Sequence, residues 1–263
     1  MKESSEADIA KIYDERYKQG YREILSGYEL SRCAAVKDLL VNIIGIEDKR
    51  LKILDYGCGS GAHVKLWENV FNQPNLFFSD VSQVSLDKLK KKYPQYSENV
   101  SIIIDNKTKF MENQFDIILS IEVMEHVLNL KGYLNEIYRL LKPGGFFVWT
   151  TPCGNVNSIE HIYSKITKKI ENTSEGYIRW KWEDPTHVRR LTSNQITNIL
   201  VKNGFFEPNI FFRAHFFSFI CSHTLIGPLN KFSHHITNLD RVLFKNYKNG
   251  ASMVGFAKKA VKR

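Results

Sequence analysis

The chain has 263 residues, with 37 Lys and Arg against 28 Asp and Glu, so its formal net charge is +9. Hydrophobic residues make up 43% and charged ones 25%, a globular composition that excludes a disordered, collagen-like or disulfide-scaffold protein and suffices for a full core. The four cysteines, Cys33, Cys58, Cys153 and Cys221, form no Cys-x-x-Cys pair, which argues against both a zinc site and a disulfide framework and for reduced thiols. The first residues carry acids and no apolar run, unlike a signal peptide, so the expectation is a cytoplasmic protein. Residues 226–263 hold eight Lys or Arg and one acid, Asp240, net +7. Solvated surface is the plainer reading of such a run, and contact with an anionic lipid, a nucleic acid or a phosphorylated substrate the sharper one.

From Ala7 to about Ile44 the apolar residues Ile9, Ile12, Tyr13 and Tyr17, then Leu30, Ala34, Val36, Leu39, Leu40 and Ile43, recur at mostly helical spacing and predict two helices ahead of the first strand. Short apolar runs at 51–56, 75–79, 100–104, 115–120 and 145–150 then alternate with helix-like stretches at 62–71, 84–93 and 131–141. That rhythm predicts a parallel sheet with helices on both faces, and runs such as Ile117-Ile118-Leu119 suit strands covered on both sides. Residues 151–185 break the rhythm with a long polar and aromatic insertion, the pattern of a lid. Thr192 and Ser193 are candidate N-caps of a helix ending at Asn203-Gly204, and further strands are predicted near Asn209–Arg213 and Met253–Lys258.

The segment Ile53-Leu54-Asp55-Tyr56-Gly57-Cys58-Gly59-Ser60-Gly61-Ala62 runs from a strand through glycines into a helix. Alternate glycines let the backbone turn sharply and approach a ligand closely, beside a helix start with free N–H groups. Gly57-x-Gly59-x-x-Ala62 also satisfies the dinucleotide fingerprint, so the loop alone leaves a hydride-transfer enzyme open. Asp80 closes the second strand, where a carboxylate can accept two hydrogen bonds from a ribose diol. Asp55 lies two residues before the first glycine, where it would repel a pyrophosphate but suit an ammonium group, which favours a cationic nucleoside ligand.

Asp55-x-Gly57-x-Gly59-x-Gly61, Asp80, Asp105, Phe115-Asp116-Ile117-Ile118-Leu119 and Leu140-Leu141-Lys142-Pro143-Gly144-Gly145 together resemble the class I S-adenosylmethionine-dependent methyltransferases. The resemblance implies a Rossmann-like α/β fold with a seven-stranded, mostly parallel sheet. It further implies that Gly57, Gly59 and Gly61 pass under the methionine part with Asp55 supporting its polar groups, that Asp80 takes the ribose hydroxyls, and that Asp105 takes the adenine amino group with Asn106 beside it. Ser120, at the end of the fourth strand, joins this expected cofactor set. The expected organisation is a single domain, with a helical cap at 1–50, a cofactor core at 51–152, a lid or acceptor insertion at 153–191 and a C-terminal half at 192–263.

Methyl transfer from a sulfonium needs alignment, dehydration and, for a hydroxyl acceptor, a base or metal near the fourth strand's end. Ser120-Ile121-Glu122-Val123-Met124-Glu125-His126-Val127 stands there, and a helix starting in it would place Glu122, Glu125 and His126 on one face. Two readings compete: His126 or Glu125 as general base, or Glu122, Glu125 and His126 as ligands of a divalent ion. The segment is similar to that of the ubiquinone-biosynthesis O-methyltransferases, whose matching residues are associated with Mg²⁺. No Asn/Asp-Pro-Pro-Tyr segment for nucleobase amino groups is present. Asp184-Pro185-Thr186-His187 is similar to the Asp-x-x-His segment of methyltransferases of polysaccharide and lipid biosynthesis, which implies His187 as a second candidate base and Arg189 or Arg190 as grips for an anionic acceptor. Trp180 and Trp182 are candidates for a stacking wall. Seven phenylalanines between Phe205 and Phe219 read chiefly as core strand, with a peripheral membrane contact at the inner face of the membrane as the alternative. The function expected is O-methylation of a small-molecule, glycan, lipid-linked or quinone-type acceptor; RNA methylation and a catalytically inactive cofactor-binding partner subunit are the rivals, although the tail lacks the basic-aromatic modules that read RNA.

Overall fold

A computed structural model describes residues 5–23, 25–46, 50–71, 75–156, 158–173, 175–218, 232–244 and 247–261. Strands β1 (Ile53–Tyr56), β2 (Leu76–Asp80), β3 (Val100–Ile102), β4 (Phe115–Ile121), β5 (Leu141–Pro152), β8 (Phe205–Arg213) and β9 (Ser252–Lys259) form one sheet in the order β3-β2-β1-β4-β5-β9-β8. The five strands from β3 to β5 run parallel, while β9 is antiparallel to both β5 and β8. Strand order reverses at β1, which pairs with β2 on one side and β4 on the other. Such a switch opens a crevice at the carboxyl ends of the strands.

The period of two in the strands divides the core. Ile53, Ile117 and Leu119 join one cluster, with Val36, Trp67 and Leu89, while Leu54 and Ile118 join the other, with Ile137 and Leu200. Helix α5 (Leu130–Leu140) shows how a sequence stripe becomes packing: Tyr133, Leu134, Ile137 and Leu140 are all fully buried. Each such side chain contributes about 2 kcal/mol by leaving water. Helices α3 (Val64–Glu68), α4 (Gln83–Lys92) and α7 (Ser193–Lys202) complete the layers, and Thr192 caps α7 in a reciprocal pair with Gln195.

Two elements depart from expectation. The first helix after the glycine loop is only five residues long, because residues 61–63 are spent on the turn out of Gly61. β5 begins at Leu141 rather than Gly145, with a register irregularity opposite Phe115 and Ile117 and Gly144 at φ +80° absorbing it. The 153–191 insertion holds helix α6 (Ile159–Ile166) and a separate hairpin of β6 (Ile170–Asn172) and β7 (Ile178–Trp180).

Ahead of the sheet lie α1 (Glu6–Lys18) and α2 (Gly27–Asp38), each opened by a reciprocal cap, Ser5 with Asp8 and Ser26 with Glu29. Helix α8 (Ser233–Leu243) precedes β9 and packs on α2. Of the Phe-rich stretch, Phe205 and Phe212 are buried in β8, Phe216 is 46% exposed, and Phe219, like Cys221, lies outside the described residues. Among the described residues no helix is long and apolar enough to cross a membrane.

Candidate active site

At the end of β1 the chain turns through Gly57 and Gly59, both at positive φ (84° and 56°), directly over the end of β2. The amides of Gly57 and Cys58 donate to the Ser79 carbonyl at 2.7 and 3.0 Å. The Gly59 amide donates to Asp80 Oδ2 at 2.8 Å, and the Ser82 amide to Asp80 Oδ1 at 2.9 Å. A Cβ on Gly57 would lie 2.3 Å from Val123, and one on Gly59 2.5 Å from the Tyr17 hydroxyl. Only glycine permits both the dihedral and the approach. Burial raises the Asp80 pKa against the pull of these amide donors.

The loop floors a crevice of about 930 Å³, part of it open to solvent. Asp80, Asn106, Ile121, Glu122 and His126 form its walls, and Ile9, Tyr13, Tyr17 and Tyr21 roof it. The roof is α1 and the turn after it. Arg16 grips Asp184 with two hydrogen bonds of 2.8 Å, Asp14 accepts from Ser82 Oγ at 2.6 Å, and Tyr13 Oη lies 3.3 Å from Thr186 Oγ1. Sequence reasoning recognised α1 as a helix but not as part of the site. Its signal was the tyrosine at every fourth position, 13, 17 and 21, which puts one ring per turn on the same face.

Several expected cofactor residues stand elsewhere. Asp55 faces α3, where Oδ2 accepts from Trp67 Nε1 at 2.8 Å and Oδ1 is buried without a partner; burial pushes its pKa up to about 7. Gly61 packs against Leu89 and Val64 behind the loop. Asp105 is exposed and outside the crevice wall, and Asn106 takes the wall position, its Nδ2 donating to Glu6 at 3.3 Å. Ser120 does not reach the crevice: it accepts from Tyr133 at 2.8 Å on the α5 side. Alternation along β4 gives the crevice to Ile121 instead.

The helix expected from Glu122 does not form. Glu122 adopts φ +56° and residues 122–127 make turns, so the expected set of Glu122, Glu125 and His126 does not converge. Glu122 points to Arg32 at 3.2 Å and accepts from Thr150 Oγ1 at 2.9 Å. Burial alone would raise its pKa, but Arg32, Thr150 and Arg22 outweigh it and hold the carboxyl below the usual range. Glu125 bonds to a different threonine, with Oε2 accepting from Thr151 at 3.1 Å and Oε1 buried without a partner. Burial, then the Glu122 charge, pushes it up to about 8.

His187 takes the place expected of Glu122. Its ring centroid is 4.6 Å from that of His126, and ligand atoms of Glu125, His126 and His187 all lie within 4.8 Å of one another. Burial and then His187 press the His126 pKa down to about 3. Burial would lower His187 too, but Glu183, at 2.7 Å from Nδ1, and Glu125 outweigh it and raise it. Two imidazoles and one carboxylate do not fit Mg²⁺, which demands oxygen ligands in octahedral array.

The expected acceptor grips are already engaged. Arg189 donates to the carbonyls of Val127 and Leu128 and to Glu175. Arg190 donates to the Cys153 carbonyl, Glu160 and Glu183. Trp180 is buried beneath Arg190, and Trp182 donates to Ser164, so neither forms a wall of the crevice. The guanidinium that does line it is Arg22, 3.4 Å from Glu29 and 37% exposed.

The crevice fits S-adenosylmethionine in two respects. The glycine floor excludes side chains, and three tyrosine rings face the space, where a positive sulfur would gain from aromatic faces.

A family model described as a methyltransferase domain matches residues 27–206, more than half of the chain. Malonyl-[acyl-carrier protein] O-methyltransferase 2 of Ilyobacter polytropus is 31% identical over 111 residues, 41% of this chain and 42% of that protein, so the match spans less than half of this relative. An uncharacterised protein of Methanocaldococcus jannaschii is 26% identical across 97% of this chain and 88% of its own length. A Thermotoga maritima structure described as an S-adenosylmethionine-dependent methyltransferase, possibly acting on histamine nitrogen, superposes with TM-score 0.59 at 14% identity, covering 95% of this chain and 99% of that one. The [4+2]-cyclase SpnF superposes with TM-score 0.64 at 15% identity over 98% of both chains. At these identities the two structures speak for the fold, and a cyclase among them shows that the fold does not dictate the reaction. The family match carries further: the chain belongs to the methyltransferase-domain family and is a class I S-adenosylmethionine-dependent methyltransferase.

Proposed function

We propose that the enzyme methylates a hydroxyl oxygen of a small-molecule or lipid-linked acceptor, of glycan, lipid or quinone-precursor type. The observation that carries this reading is the Glu125–His126–His187 cluster, whose His126 opens on the crevice beside the glycine loop. S-adenosylmethionine supplies a methyl group on a positively charged sulfur that leaves as a neutral thioether. Gly57 and Gly59 keep the floor clear, Asp80 holds the loop and stands ready for a ribose diol, and the tyrosines of α1 exclude water from above. An acceptor hydroxyl set against His126 passes its proton into the cluster as its oxygen meets the methyl carbon. Arg22 faces the same space and suits an acceptor with an anionic group nearby. The O-methyltransferase relative, although matched over part of its length, supports oxygen as the atom methylated.

Methyl-labelled S-adenosylmethionine offered with lipid, glycan and RNA extracts in parallel tests this reading. Label in an ether of the lipid or glycan fraction is expected. Label confined to RNA overturns the acceptor class, and cofactor binding without turnover in any fraction assigns the chain a non-catalytic or different role.

A further inference from the structure

We propose that Glu125, His126 and His187 form a binding site for one borderline divalent transition ion, of the zinc and cobalt kind, at the acceptor end of the crevice. The proposal rests on the methyltransferase reading for the ion's use, but not for its binding.

Hydrogen bonding around the cluster fixes both imidazoles. The Thr186 hydroxyl donates to Asp184 Oδ1 at 2.7 Å, which spends its hydrogen. Its oxygen, 3.0 Å from His126 Nδ1, therefore accepts, as does the Thr186 carbonyl at 3.3 Å from the same nitrogen. His126 thus carries its hydrogen on Nδ1. His187 Nδ1 lies 2.7 Å from the Glu183 carboxylate, itself 3.2 Å from Arg190, and an ionised carboxylate only accepts. With both Nδ1 hydrogens so engaged, Nε2 is the ligand atom left on each ring, Glu125 Oε1 is buried without a partner, and one ligand atom of each of the three residues lies within 4.8 Å of the others.

A hydrogen bond cannot join the measured pair, because His126 Nε2 and Glu125 Oε1 are 4.0 Å apart. An ion can: bonds of about 2.0–2.2 Å place two ligands roughly 3.4 Å apart at a tetrahedral angle and about 4.2 Å apart on opposite sides. Bringing the widest separation, within 4.8 Å, to the tetrahedral spacing takes about 1.4 Å, shared between two side chains. Each ligand is also held from behind by a group that does not itself coordinate, Thr151 for Glu125, Thr186 for His126 and Glu183 for His187. Such support is the usual partner of metal ligation. Two nitrogens and one oxygen select zinc-like ions over Mg²⁺. Three protein ligands leave a position open, and His126 directs it to the crevice, where an acceptor hydroxyl bound to the ion would become more acidic.

Co²⁺ titration of chelator-stripped, dialysed protein tests the site through the visible absorption of the bound ion. One equivalent should bind with a ligand-field band, and X-ray absorption of the complex should show scattering from two imidazoles. His187→Ala and Glu125→Gln, with folding checked by circular dichroism, should weaken binding at least tenfold, while Glu122→Gln should retain it. A folded wild-type protein that binds S-adenosylmethionine in calorimetry but gives no band overturns the proposal and spares the methyltransferase reading. An all-oxygen shell, or a band that survives His126→Ala combined with His187→Ala, overturns it as well. A Co²⁺ band of the expected kind in a protein deaf to S-adenosylmethionine would leave the ion and remove its proposed use.

Discussion

Asp80 organises more of the site than its position at a strand end announces. It receives the amides of Gly59 and Ser82 and also lines the crevice, so Asp80→Ala removes both a carboxylate from the crevice wall and the clamp on the loop. Charged hydrogen bonds are worth about 1.5–3 kcal/mol each, and calorimetry should show S-adenosylmethionine affinity reduced roughly 10- to 100-fold; an unchanged affinity would take Asp80 out of the site. Asp55 has a separate consequence. Its pKa of about 7 exceeds the ordinary 3.8 because burial outweighs the Trp67 bond and Asp80 adds repulsion. The folded state then holds this proton more tightly than the unfolded one, so the carboxyl's contribution to stability falls as pH rises from about 4 to about 7 and is level above. Asp55→Asn escapes that loss, and its urea midpoint should gain on the wild type between pH 5 and pH 8; parallel curves would mean that Asp55 ionises normally. These roles were unevenly legible. An acid at a strand end is visible in sequence, whereas the choice between Ser120 and Ile121 turns on one residue of register, and the left-handed backbone at Glu122 has no local marker, since Glu rarely adopts it.

Among the elements, α1 had a readable period and an unreadable destination. Its spacing predicts a helix, but nothing local says that Arg16 will meet Asp184, 168 residues away. The same holds for His187, whose Asp-x-x-His setting marks it as a candidate while its neighbours Glu125 and His126 are supplied by another strand end. The ion pair that ties α1 to the insertion is only partly buried, with Arg16 and Asp184 22% and 21% exposed, while Ile9 and Tyr17 are buried. A roof built this way can open for cofactor exchange at modest cost. Arg16→Ala should lower global stability by no more than about 1 kcal/mol while speeding proteolysis in the turn at 19–23 and raising the S-adenosylmethionine dissociation rate several-fold in stopped flow. A dissociation rate equal to that of the wild type would make α1 a fixed wall.

At the scale of the whole molecule, the mostly parallel sheet with helices on both faces was the most legible feature, because strands alternating with helices imply parallel crossovers. The antiparallel return of β9 between β5 and β8 was not, since the long stretch between β8 and β9 hides which edge the chain rejoins. The crevice draws on five distant parts of the chain: α1 with the segment after it, the glycine loop, the end of β2, the turn after β3 and the turn after β4. A ligand bound there ties the N-terminal helix to the sheet, so binding and global stability are linked. At about 100 times its dissociation constant, a ligand specific to the folded state adds about 2.7 kcal/mol, which for a chain of this size corresponds to a rise in Tm of roughly 5–10 °C. S-adenosylmethionine should produce that rise and protect the α1 turn from protease in the same concentration range. NADH should do neither, because the Gly57, Cys58 and Gly59 amides that would cradle a pyrophosphate are already taken by the Ser79 carbonyl and Asp80. A shift with NADH and none with S-adenosylmethionine would reverse the assignment of the crevice.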